Sequence, residues 1–218
     1  MAAAVSFGYK MGWLAARSST PEEVIEALNI EEATASSWEE GIERTYSSSS
    51  MTEHQVFVTP QLSGWVLAAS PAYFDETSDT DPQRLVRFVV EAAQRLDTEV
   101  QLFVTHRVVE GHAWARAAPD SPPRAYYYLG EADECLLDVG ARTPFEETLA
   151  CLSPDASEPA DESTVMSVAE AWSLDPTALD VRFPEVADGF LGLIRVPTHE
   201  ALEEPARPQK SRPWWKVW

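Results

Sequence analysis

Cysteine is nearly missing from this chain: 218 residues hold only Cys135 and Cys151, with no CxxC pair and no framework of even spacings. A reducing, cytoplasmic setting is the expectation. Positive charge is scarce as well. Sixteen Lys and Arg stand against 36 Asp and Glu, a formal net charge of −20 at pH 7, and such a surface repels the phosphates of nucleic acid and the headgroups of anionic lipid. No nucleic-acid partner is expected. Nowhere do eighteen apolar residues follow one another, and the opening MAAAVSFGYKMGW has no basic n-region, so we expect neither secretion by the general route nor a membrane-spanning helix.

Glycine is thin and scattered, nine residues in all, with no Walker loop and no G-x-G-x-x-G to cradle a phosphate. G-x-S-x-G and H-E-x-x-H are absent too. No cofactor and no metal are expected. The acidic pairs Glu22-Glu23 and Glu146-Glu147 lie where first helical turns favour negative charge, which accounts for them without chemistry.

What remains is ordinary globular material, 44% hydrophobic and 10% aromatic, in a chain long enough to bury a core without disulfides or metal. Residues 1–198 read as one acidic α+β domain and 199–218 as a Pro-containing linker with a basic tail. Helix starts share one device, a capping Thr or Asp followed by Pro at the first helical position. It occurs at Thr20-Pro21, Asp81-Pro82, Thr143-Pro144 and Asp175-Pro176, with Glu23 and Glu146 completing capping boxes.

The spacing of Leu85, Val89, Ala92 and Leu96 predicts a central helix over 82–96. Shorter helices are expected near 21–29, 38–46, 144–152 and 163–172. Strands are expected at 9–17, 55–59, 64–70, 100–105, 108–117, 125–129, 135–139 and 190–196. Short connections rich in turn formers, such as Pro60-Gln61-Leu62-Ser63 and Asp120-Ser121-Pro122-Pro123, imply antiparallel neighbours. The fold class is α+β, a mainly antiparallel sheet with helices packed on it and an extended C-terminal tail. Gly12-Trp13-Leu14-Ala15-Ala16 echoes Gly64-Trp65-Val66-Leu67-Ala68-Ala69 faintly. In Tyr126-Tyr127-Tyr128 the first and third rings should face one way and the second the other.

Two segments attract functional attention. His106-Arg107-Val108-Val109-Glu110-Gly111-His112, followed by Trp114 and Arg116, is the densest collection of reactive side chains. On an uninterrupted strand His106, Glu110 and His112 would share a face, forming a ligand or partner surface with Trp114 and Arg116. The two imidazoles would then lie roughly 20 Å apart, too far to share a metal.

The second segment is the tail. From Pro205 onward it holds Arg207, Lys210, Arg212 and Lys216 and no acid, leaving 12 basic and 36 acidic residues, a charge of −24, in 1–204. Trp214, Trp215 and Trp218 need somewhere to bury. An acidic groove on the same chain, an aromatic-accepting groove on a partner, and a membrane interface are all open, with Arg212, Trp214, Trp215, Lys216 and Trp218 as the contact residues.

The run His106–Arg116, Arg124-Ala125-Tyr126, Tyr128-Leu129-Gly130-Glu131, Val56–Pro60 with Gly64-Trp65, and Val165-Met166 with Trp172–Pro176 resembles a family of uncharacterised bacterial proteins. The resemblance spans about residues 9–180 and implies no activity. The leading expectation is a non-enzymatic protein-binding module, an immunity or accessory factor for a basic bacterial partner. The alternative is a small-molecule-binding domain or hydrolytic enzyme using His106, Glu110 and His112.

Overall fold

The computed structural model describes residues 3–47, 53–77, 80–153, 155–156 and 158–195. The serine run at 48–50 and the whole basic tail lie outside these residues. Nine strands form one antiparallel sheet: β1 (Gly12–Arg17), β2 (Glu31–Ser36), β3 (Glu53–Val58), β4 (Trp65–Ser70), β5 (Val100–His106), β6 (Gly111–Ala118), β7 (Ser121–Leu129), β8 (Glu134–Val139) and β9 (Gly189–Arg195). Their spatial order is β2-β9-β3-β4-β1-β5-β6-β7-β8. The α+β expectation holds. Strand β2 was not foreseen, and it forms one edge of the sheet.

Each face of the sheet carries its own core. One is built from Leu14, Ala16, Val66, Ala68, Leu102, Val104, Ala113 and Tyr127 under α1 (Pro21–Ala27) and α3 (Gln83–Leu96). The other holds Trp13, Phe57, Phe103, Trp114, Tyr126 and Tyr128. It is covered by the N-terminal segment, α2 (Trp38–Ser47), α4 (Glu162–Trp172) and α5 (Leu179–Arg182). Successive side chains therefore alternate between two cores, and the three tyrosines divide as the period of two requires. The two echoing segments are neighbours, with Trp13 opposite Ala69 and Arg17 opposite Trp65.

Capping explains which helices form. Thr20 Oγ1 accepts from the Glu23 N–H at 3.2 Å while Glu23 Oε2 accepts from the Thr20 N–H at 2.7 Å, and α1 starts there. Helix α3 buries Leu85 and Val89 completely, each contributing about 1.5–3 kcal/mol by area. It stops where Asp97 turns left-handed at φ 49°.

The Asp81-Pro82 signal precedes α3 as expected, whereas the Thr143-Pro144 signal gave something else. The Asp81 carbonyl accepts from the Arg84 N–H at 3.0 Å, and its carboxylate pairs with Arg87. At Thr143-Pro144 the reciprocal Thr143–Glu146 bonds form, yet no α-helix follows. Two 3-10 turns, Glu146–Thr148 and Ala150–Leu152, are separated by an extended Leu149. The cause lies with Glu146, whose Oε1 accepts from Trp114 Nε1 and Arg124 Nε, both at 2.8 Å. That pins the segment down onto β6 and β7.

Candidate functional site

The segment 106–116 is a hairpin, not an uninterrupted strand. His106 ends β5 opposite Gly111, and Thr105 faces His112, Phe103 faces Trp114 and Gln101 faces Arg116. Residues 107–110 turn the chain, with Glu110 at φ 50°. Folding back puts His112, Trp114 and Arg116 on the α4 face and His106 on the other, where its ring stacks on Phe74 at 4.4 Å. The shared face expected for His106, Glu110 and His112 does not form, because the turn resets the alternation.

His112 is 1% exposed. Its Nδ1 lies 3.2 Å from Thr105 Oγ1 and its Nε2 3.2 Å from Glu110 Oε2, so both ring nitrogens are engaged. Trp114 is fully buried, bonded to Glu146 and stacked on Tyr126 at 4.4 Å. Arg116 sits at the far end of β6, 3.3 Å from Glu99 and over the ring of Trp172. Trp114 ties the segment before α4 to the sheet, Arg116 contacts the end of α4, and His112 bonds within its own hairpin. Arg212, Trp214, Trp215, Lys216 and Trp218 lie outside the described residues.

His106 belongs to a different grouping. It lines a pocket of about 230 Å³ with Lys10, Met11, Gly12, His54, Pro71, Phe74, Asp75 and Thr105. The pocket opens at one end of the central strands. β1 brings Gly12, β3 brings His54, and the 3-10 turn Pro71–Glu76 after β4 brings Phe74 and Asp75. Gly12 is required by packing, since a Cβ there would lie 2.5 Å from the Cβ of Tyr73.

His54 Nε2 is 3.8 Å from Asp75 Oδ2, an electrostatic contact longer than a hydrogen bond. Burial pushes the Asp75 carboxyl above its ordinary value, against the opposing pull of His54 and Arg84. The Nδ1 atoms of His54 and His106 are both buried, and neither has a hydrogen-bond partner among the described residues. Sequence reasoning singled out His106 but missed Lys10, His54 and Asp75. They are separated along the chain and meet only through the sheet.

The second feature surrounds β2. Residues 18–43 hold eight glutamates, Glu22, Glu23, Glu26, Glu31, Glu32, Glu39, Glu40 and Glu43, all exposed, and no Lys or Arg. Helix α1 packs on one face over β3 and β4 and beside α3, α2 packs on the other face over β3, β4 and β9, and β2 lies at the edge. Among the described residues β2 pairs with β9, and its register shifts between Glu31 and Thr34, where Glu32 adopts φ 54°. One hollow lies between α1 and the end of α3 and a second lies at the β2 edge. The first, of about 470 Å³, is lined by Glu23, Glu26, Ala27, Asn29, Arg95 and Leu96. The other, of about 410 Å³, lies along β2 and β9 and includes Glu32, Thr34, Arg44, Leu191 and Leu193.

No family model, curated protein or solved structure matches the chain. Among the described residues no three His, Cys, Asp or Glu side chains are grouped to hold a metal ion, and no helix is long and apolar enough to cross a membrane. The functional reading therefore starts from the acidic margin and the histidine pocket themselves.

Proposed function

We propose that this chain is a non-enzymatic protein-binding module whose acidic β2 margin receives a basic protein. The observation that supports the reading is that β2 ends the strand order and lies in a stretch, residues 18–43, that carries eight exposed glutamates, two on β2 and six on α1 and α2, and no Lys or Arg. A terminal strand offers unpaired backbone groups for strand addition. Like charges around it repel a second acidic copy and attract a cationic strand or helix, which raises association rate and fixes partner choice. The basic tail, with Arg212, Trp214, Trp215, Lys216 and Trp218, supplies aromatic anchors for a second contact on the same partner. Such a module suits a cytoplasmic bacterial immunity or accessory factor that neutralises or positions a basic protein.

The test immobilises the full chain beside an E31K/E32K/E39K/E40K variant and exposes both to extract of the cells it comes from. We expect a basic protein to be retained by the parent and lost by the variant. With purified components its affinity should fall at least tenfold between about 50 and about 500 mM salt. Retention of the same proteins by both baits, or retention indifferent to salt, defeats the reading.

A further inference from the structure

Lys10, His54, Asp75 and His106 line one small pocket in a protein whose acids far outnumber its bases. We propose that this pocket binds a compact oxyanion that carries its own hydrogen-bond donor, an α-hydroxy carboxylate or hydrogen phosphate.

The two imidazoles define the donors. A proton on the buried, partnerless Nδ1 of either ring would be an orphaned donor, costing about 1–3 kcal/mol. In the proposed complex each neutral ring carries its proton on Nε2, where a ligand can accept it. His54 Nε2 lies on the side of Asp75, and His106 is held in place by its stack on Phe74. In that complex these two N–H groups and the ammonium of Lys10, which also lines the pocket, serve one small acceptor. Lys10 sits at φ 56°, a left-handed backbone that a lysine adopts at a cost.

Asp75 decides the second half of the ligand. A bare carboxylate would face it as a like charge, whereas a hydroxyl on the anion donates to it. The 3.8 Å gap between His54 Nε2 and Asp75 Oδ2 suits a group that accepts from one and donates to the other. The volume, about 230 Å³, falls below the ~300–1,000 Å³ of clefts for drug-sized ligands and selects something small.

The experiment records long-range ¹H–¹⁵N spectra of the histidine rings in the full chain during titration with lactate, inorganic phosphate and acetate. We expect saturable changes at His54 and His106 with lactate, phosphate or both, weaker changes with acetate, and none at His112, whose nitrogens are both engaged. His106→Phe should weaken binding about tenfold, roughly 1.4 kcal/mol. Asp75→Asn should erase the preference for lactate over acetate. Absence of saturable change at either ring up to high millimolar anion, or equal change at His112, overturns the proposal. So does an acetate response as strong as that of the other two anions.

Discussion

The carboxylate of Glu146 lies 2.8 Å from the Nε of Arg124, and the two side chains are 0% and 3% exposed. Around them Thr143, Trp114 and Asp138 supply further bonds, while Nη2 of Arg124 is buried without a hydrogen-bond partner among the described residues. Removing one member leaves the other stranded. Glu146→Ala should therefore cost about 3–5 kcal/mol in urea unfolding, while an Arg124→Met/Glu146→Leu double variant recovers much of the loss. A single-variant loss under 1 kcal/mol would show that the pair stabilises nothing.

Gly41 tests packing against propensity. Alanine in a helix gains about 1 kcal/mol over glycine, but a Cβ at Gly41 would stand 2.1 Å from Cδ2 of Phe57, itself fully buried. Overpacking of that kind costs about 1–3 kcal/mol. Gly41→Ala should lower the urea midpoint; an increase would mean that α2 can slide off β3.

Asp138 and Asp75 predict opposite pH behaviour. Burial opposes ionisation of Asp138, but hydrogen bonds from Arg142 and Arg124 outweigh it and hold its carboxyl below the ordinary range. Its stabilising effect is present above the ordinary carboxylate pKa and is lost as pH falls through the lowered value. Asp75 is raised by burial, so its ionised form weakens the fold once pH passes the ordinary carboxylate pKa and rises through the raised one. Asp138→Asn should lower Tm at pH 7 and converge with the parent in acid. Asp75→Asn should raise Tm at pH 7 and change little at pH 3.

The glutamates on β2 should also keep copies of this chain apart. Glu31→Thr/Glu32→Thr removes two exposed charges from an unpaired edge and adds residues that favour strands. Light scattering after size exclusion should detect concentration-dependent dimers in the variant and monomers in the parent.

Legibility in the sequence followed burial. Strands such as Val100–His106 and helix α3 announce themselves because their apolar residues recur at the period of the element. Glu31-Glu32-Ala33-Thr34-Ala35-Ser36 was silent because an edge strand exposed along most of its length has no apolar alternation to reveal it. The Thr143-Pro144 box was legible as local bonding and misleading as a helix, since Arg124 and Trp114, distant in sequence, also draw on Glu146. The pocket was hidden for a similar reason. Its residues come from four segments, and Asp75 lies in a stretch that looks like a polar loop.

The place of β9 reaches beyond the folded state. This strand, the ninth in order of synthesis, lies between β2 and β3. A nascent chain that has emerged only as far as Val186 has nothing for β2 to pair with, and the apolar run Val56-Phe57-Val58 of β3 is left as a bare edge. A premature stop before Gly189 would thus do more than shorten the protein. It would detach the acidic margin from the sheet and put a sticky strand in its place, making the ribosome's last stretch of work on this domain the step that guards against aggregation.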